Sequence, residues 1–209
     1  MKTLPLILLF SLATCVATSH AQAVKGFGLK AGTVIASQKW SSPHAPDYPT
    51  DSRRGIDIGA FIEWFDSPIL SILTEVHYIQ KGVTFVPGSA DDGPVTYSVS
   101  PQLDYLSIPL LAKIRFDVQS ISIYALLGAC VDFLLSSSGH EGFEYIFDKL
   151  NKSEYGGTVG AGITFSFVRS LNFGAEFRYS PSFDNVLTSD NRAIRNTSME
   201  LLFIAGLLM

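Results

Sequence analysis

The sequence predicts an all-β protein, an eight-stranded antiparallel up-and-down transmembrane β-barrel. Three observations lead there. In the stretch Tyr105 to Phe116, the alternate positions Leu106, Ile108, Leu110, Ala112, Ile114 and Phe116 are all apolar, while Tyr105, Ser107, Pro109, Leu111, Lys113 and Arg115 form a mixed, partly charged set. A period of two over this length is a strand long enough to cross a bilayer. Seven further segments repeat the design, and the connections between successive segments alternate between long and very short, beginning and ending with a long one.

Composition agrees with a single domain: 209 residues, 47% of them hydrophobic, and a formal net charge of -4 that argues against a wide nucleic-acid surface. Residues 1–21 read as a cleaved export signal. Lys2 gives a basic start, Leu4 to Val16 is a short apolar run, and Ser19-His20-Ala21 offers small residues where a signal peptidase reads. The run is short for a helical anchor, and Leu12-Ala13-Thr14-Cys15 only approximates a lipoprotein signal. The mature chain, residues 22–209, is then one barrel domain. Loss of Cys15 leaves Cys130 alone, so no intramolecular disulfide forms.

The first strand is expected over Gly26 to Ser37, with Phe27, Leu29, Ala31, Thr33 and Ile35 opposite Gly28, Lys30, Gly32 and Val34. After a loop at 38–54, the second runs from Ile56 to Phe65, with Ile58, Ala60, Ile62 and Trp64 opposite Asp57, Gly59, Phe61 and Glu63. Asp66-Ser67-Pro68 is a tight turn. The third strand, Ile69 to about Lys81, sets Leu70, Ile72, Thr74, Val76 and Tyr78 against Ser71, Glu75 and His77.

A Gly-, Asp- and Pro-rich loop at 82–104 leads to the fourth strand, and Asp117 to Ser120 turns into the fifth, Ile121 to Leu135. There Ile123, Ala125, Leu127, Ala129, Val131 and Phe133 oppose Tyr124, Gly128, Cys130 and Asp132. Residues 136–155 form the third long loop, with a short helical turn at Phe143 to Leu150. The sixth strand, Gly156 to Phe167, has the cleanest alternation of apolar with small polar residues. Arg169-Ser170 turns into the seventh, Leu171 to Tyr179, where Phe173, Ala175, Phe177 and Tyr179 oppose Gly174, Glu176 and Arg178. A loop at 181–196 precedes the last strand, Thr197 to Leu208, with Met199, Leu201, Phe203, Ala205 and Leu207 opposite Ser198, Glu200 and Gly206.

Hydrocarbon accepts only the apolar set, because an unsatisfied polar group there costs several kcal/mol. The opposite set therefore faces the lumen, and its candidate polar network is Lys30, Glu63, Glu75, His77, Lys113, Arg115, Asp132, Glu176, Arg178 and Glu200. An eight-stranded barrel has an interior just wide enough for its own side chains, so the lumen is expected to be plugged, not an open pore. Gly28, Gly32, Gly59, Gly128, Gly160, Gly162, Gly174 and Gly206 make room there. Pro109 predicts a bulge or a missing ladder bond. Trp64, Phe65, Tyr78, Tyr105, Phe116, Phe167, Tyr179 and Phe203 are candidates for aromatic girdles.

No catalytic constellation, cofactor loop or metal-ligand spacing emerges, although His77 and Glu75 share a strand face; Cys130 reads as a lumen filler. No enzymatic activity or cofactor is expected. The alternative architecture is a soluble exported lipocalin-like barrel binding an apolar ligand, which would need the reverse polarity of its two faces.

Several segments carry a family resemblance: Gly28-Leu29-Lys30-Ala31-Gly32, Glu75 to Gly82 (EVHYIQKG), Tyr105 to Lys113 (YLSIPLLAK), Tyr124 to Ala129 (YALLGA) and Gly174 to Tyr179 (GAEFRY). The chain resembles the PorT-like outer-membrane β-barrel proteins of Bacteroidetes and related bacteria. The resemblance implies location in the bacterial outer membrane and a structural, adhesive or accessory secretion role. Implied partners are outer-membrane lipid and a protein or surface glycan met by the long loops. In place of the terminal aromatic residue usual in such barrels the chain ends Leu207-Leu208-Met209, leaving Phe203 or another part of the last strand to supply that feature.

Overall fold

Strands with one polar and one apolar face leave no exposed edge when they close on themselves. The computed structural model describes residues 23–41, 50–65, 67–85, 100–138, 150–168, 170–184 and 193–209. It contains β1 (Val24–Ser41), β2 (Thr50–Trp64), β3 (Leu70–Phe85), β4 (Gln102–Val118), β5 (Ile121–Ser138), β6 (Ser153–Val168), β7 (Leu171–Pro181) and β8 (Ala193–Leu208). Each pairs with the next, all antiparallel, and β8 pairs with β1 to complete a closed barrel. The export signal, most of the helical turn expected at Phe143 to Leu150, Asp66 and Arg169 lie outside the described residues.

The registers fix the strand tilt. A path along ladder partners from Val24 through Trp64, Ile72, Ala112, Leu127, Val159, Tyr179 and Met199 returns to β1 at Ile35, not at Val24. Such a stagger tilts the strands by about 35–45° to the barrel axis. At that tilt about 9–11 residues cross a bilayer. β7 has 11 residues and the other strands have 15 to 18, so most of them rise well past the hydrocarbon.

That extra length falls at the long-connection end, where strands enter all four expected loops: β1 continues to Ser41, β3 to Phe85, β5 to Ser138, and β8 begins at Ala193. Period two fades there because an outward side chain above the lipid is not required to be apolar. At the opposite end the connections are tight. Val118 pairs with Ile121 across Gln119-Ser120, and Gln119 takes φ 56, the positive first position of a type II′ hairpin turn.

Every expected face is observed. Leu29, Leu127 and Phe203 are 65%, 67% and 68% exposed on the outside, whereas Lys30, Glu75 and Glu176 are each 1% exposed within. This polarity is the inverse of what a soluble lipocalin-like barrel requires. Of the girdle candidates, Phe65, Phe116, Phe167, Tyr179 and Phe203 are exposed, and the Trp64 indole donates to Thr74 Oγ1 at 2.8 Å. Tyr105 is a correction: it is fully buried in the lumen, because it shares the odd-numbered face of β4 with Lys113. At Pro109 the register stays unbroken against Cys130, while pairing with β3 passes over Glu75 and Val76 and resumes in the same register. The ladder is interrupted there without a bulge.

Candidate functional site

The lumen is where this sequence concentrates its charge. Its side chains arrive by alternation along the strands, and its space comes from glycines directly across a ladder. His77 lies opposite Gly59, Tyr124 opposite Gly162 and Phe61 opposite Gly28. A Cβ at Gly59 would come within 2.4 Å of the His77 ring, and one at Gly162 within 2.4 Å of the Tyr124 ring. Each large side chain leans into the gap left by its glycine.

The interior is layered. At the tight-turn end Glu63 gathers Lys113 Nζ at 2.9 Å, the Ser71 hydroxyl at 2.7 Å, Arg115 at 3.5 Å and Lys25 at 3.7 Å. Glu63, Lys113, Arg115 and Lys25 border a vestibule of about 280 Å³. Above it, Phe61, Leu73, Leu111, Tyr124, Leu126 and Ile204 form an apolar layer.

The central layer is ionic. Lys30 Nζ reaches Glu75 at 2.8 Å and Glu176 at 3.0 Å, while Arg178 donates to Glu75 at 2.7 Å and to Glu176 at 2.5 Å. The Tyr124 hydroxyl donates to Glu176 at 2.7 Å. His77 is held at both ring nitrogens, by Asp57 at 2.6 Å and by Glu75 at 3.0 Å. Two cations shared between two carboxylates, with every member almost completely buried, offset the desolvation that would make any one of them prohibitive alone. The cavities beside this layer, about 30 and 10 Å³, have room for little more than a water.

Toward the long-connection end, Lys81 Nζ meets Asp132 at 2.5 Å, Tyr105 donates to Glu154, Asn196 donates to Glu154 at 3.0 Å, and Gln38 donates to Asn196 at 2.9 Å. Val34, Ala36, Ile79, Leu103 and Tyr105 pack there as a second apolar cluster.

The ten residues of the expected network thus fall into separate groups. Lys30, Glu75, His77, Glu176 and Arg178 meet in one; Glu63, Lys113 and Arg115 in another. Asp132 pairs with Lys81, and Glu200 accepts from Ser198 at 2.8 Å. The expectation omitted Asp57, Lys81, Tyr105, Tyr124, Glu154 and Asn196. Asp57 and Tyr124 carried the same inward phase and were findable from it, whereas Glu154 and Asn196 lie in strand ends that read as loop.

Chemically this interior is made largely of ion pairs, while the buried carboxylates Glu154 and Glu200 accept from hydroxyl and amide donors. Among the described residues, no group of three or more His, Cys, Asp or Glu side chains is arranged to hold a metal ion. His77 is engaged by carboxylates on both sides, and Cys130 is a buried free thiol.

The outer membrane protein beta-barrel domain matches residues 21–188. β8 lies past that stretch, yet closes the barrel against both β7 and β1. The outer membrane protein OprG from Pseudomonas aeruginosa has a similar structure, with 9% sequence identity and a TM-score of 0.58, over 90% of this chain and 98% of that one. Neisserial surface protein A is similar at 18% identity and a TM-score of 0.52, over 88% and 97% of the two chains. At these identities the likeness is one of fold. No curated protein matches the chain in sequence.

Proposed function

Because the chain belongs to the outer membrane protein beta-barrel domain family and resides in the bacterial outer membrane, we propose that it is a non-catalytic barrel whose role is structural, adhesive or accessory to secretion. The closed, ion-paired lumen is a rigid support, and four long connections leave its outer end. The observation that carries this reading is the central layer of Lys30, Glu75, Glu176 and Arg178: side chains so fully committed to each other fill the interior and leave the loops to meet partners. On this reading residues 1–21 are removed on export and 22–209 form the barrel. The lumen network serves stability, and a protein or surface glycan binds through the loops.

Two measurements test this. In planar bilayers the purified barrel should give no steady unitary conductance; well-resolved open steps would contradict a plugged lumen. Replacing 86–99 and 139–149 with short Gly-Ser links should leave the barrel folded and abolish binding of cells to the surface or partner they adhere to. Retention of that binding would remove the loops from the proposal.

A further inference from the structure

The vestibule at the tight-turn end is a cup with two unlike walls, and the closure of the barrel does not require either of them. The apolar layer that includes Leu73, Tyr124 and Ile204 shuts it off above, so it is not the entrance to a pore. Its space is about 280 Å³, against about 30 and 10 Å³ for the cavities deeper in the lumen, and the exposed turn residues Gln119 and Ser120 stand at its rim.

One wall is cationic. β1 supplies Lys25 and β4 supplies Lys113 and Arg115, with side chains 7%, 10% and 11% exposed, and all three share the Glu63 carboxylate of β2, 5% exposed. One carboxylate does not neutralise three cations. Arg115 also donates to the Ser67 and Pro68 carbonyls at 2.5 and 3.3 Å, and Lys113 Nζ lies 4.4 Å from the centre of the Tyr124 ring, contacts that orient the charges without cancelling them. Asp117 comes within 3.5 Å of Arg115, but at the rim, with 49% of its side chain in screening water. Asp66 and Arg169, in the neighbouring turns, lie outside the described residues. Counting them, the sequence sets Lys25, Lys113, Arg115 and Arg169 against Glu63, Asp66 and Asp117, an excess of one cation. The excess belongs to this end: the central quartet balances two cations with two carboxylates, and Lys81 lies among Asp132, Glu154 and Glu200.

The opposite wall is neutral. β5, β6 and β7 bring Ser122, Thr164, Ser166 and Asn172 to the cup. The Ser122 hydroxyl donates to Asp117 at 2.5 Å, and that of Ser166 donates to the Asn172 side-chain oxygen at 2.7 Å, which leaves the Asn172 amide N–H groups as donors.

We propose that the vestibule binds a singly charged, hydroxylated carboxylate, namely an acidic sugar. Its carboxylate meets the wall of Lys25, Lys113 and Arg115, and its hydroxyls lie along Ser122, Thr164, Ser166 and Asn172. A single negative charge matches the single excess cation, whereas a phosphate dianion overshoots it and is repelled by Glu63. Sugar hydroxyls both donate and accept, as do the hydroxyls and the amide that face them. A cup of one charge sign with low-dielectric walls also concentrates an anion from solution. The site rests on barrel closure alone, and its periplasmic address rests on the orientation proposed above. The same chemistry comes from a free sugar acid or from the acidic end of a saccharide chain.

The test uses the whole mature barrel in lauryldimethylamine oxide micelles, with the binding of glucuronate, glucose and inorganic phosphate read by isothermal titration calorimetry. Glucuronate should bind more tightly than either of the others. Lys25→Gln removes the cation that Glu63 holds least closely and should weaken glucuronate about tenfold or more, the worth of one hydrogen bond to a charged group. Asn172→Ala should weaken it by less, and Ser136→Ala, at the far end of the barrel, should leave it unchanged. A disaccharide ending in glucuronate separates the two sources: affinity at or above that of the free acid identifies a chain end, and its exclusion identifies a free sugar acid. Glucuronate binding no tighter than glucose or phosphate would overturn the proposal. So would undiminished binding by Lys25→Gln, or tighter binding of acetyl-trialanine, which presents its carboxylate on a peptide. Heat-dependent gel mobility, read on the same samples, reports barrel closure separately, so an empty cup is distinguishable from a failed barrel.

Discussion

Replacing Arg178 with methionine removes the cation that Glu75 and Glu176 share at 2.7 and 2.5 Å, in a position only 2% exposed. Methionine keeps much of the stem volume, so the dominant effect is electrostatic. Two buried carboxylates are left to share Lys30, and His77, itself shared with Asp57, reaches Glu75 alone of the two. Breaking a buried ionic group by removing one partner costs about 3–5 kcal/mol. The expected loss is of that size, measured as the shift in urea midpoint for refolding into phosphatidylcholine vesicles and scored by compact, unboiled gel mobility. Adding Glu176→Gln leaves Glu75 facing Lys30 as a neutral pair, and the Tyr124 hydroxyl can still donate to the amide oxygen. The double variant should therefore regain about 2 kcal/mol relative to the sum of the single losses. A loss below about 1 kcal/mol for Arg178→Met, or simple additivity with Glu176→Gln, would refute the idea that this quartet holds the centre of the lumen.

Other substitutions probe other surfaces. Ala161 faces lipid between Ala125 and Phe177, so Ala161→Lys should cost about 2–4 kcal/mol of barrel stability and reduce the heat-modifiable fraction in membranes. Gly59→Ala drives a methyl group into the His77 ring and should cost about 1–3 kcal/mol by overpacking, visible as a lowered urea midpoint. Tyr105→Phe removes the hydroxyl that donates to Glu154, which keeps Asn196 at 3.0 Å, and a loss of about 1 kcal/mol is expected in the same titration.

The sequence was most legible where one physical constraint acted alone. Between the two edges of the hydrocarbon, outward positions are uncharged and almost all apolar, so the phase of Phe27, Leu127 or Phe203 reveals which neighbours point inward. Lys30, Glu176 and Arg178 were identifiable on that ground. Their mutual contact was not, because it depends on the stagger that brings β1, β3 and β7 side chains together across the lumen, and one strand's alternation carries no information about stagger. The outer ends were obscured for a different reason. Glu154 and Asn196 sit on strands that have left the lipid, so polar residues occur on both faces and the segment resembles a loop. Tyr105 illustrates the limit of residue type as a guide: an aromatic near a strand end suggests a girdle, but its odd position on β4 places it inside, donating to Glu154.

The most direct measurement is the gel mobility of the mature protein from washed outer membranes, with and without boiling in detergent. A closed barrel with its apolar face outward and its ion pairs sealed within should resist detergent, giving an unboiled band that migrates faster than the boiled one. Identical mobility in the two samples, or recovery of the protein as a soluble periplasmic species, would contradict it.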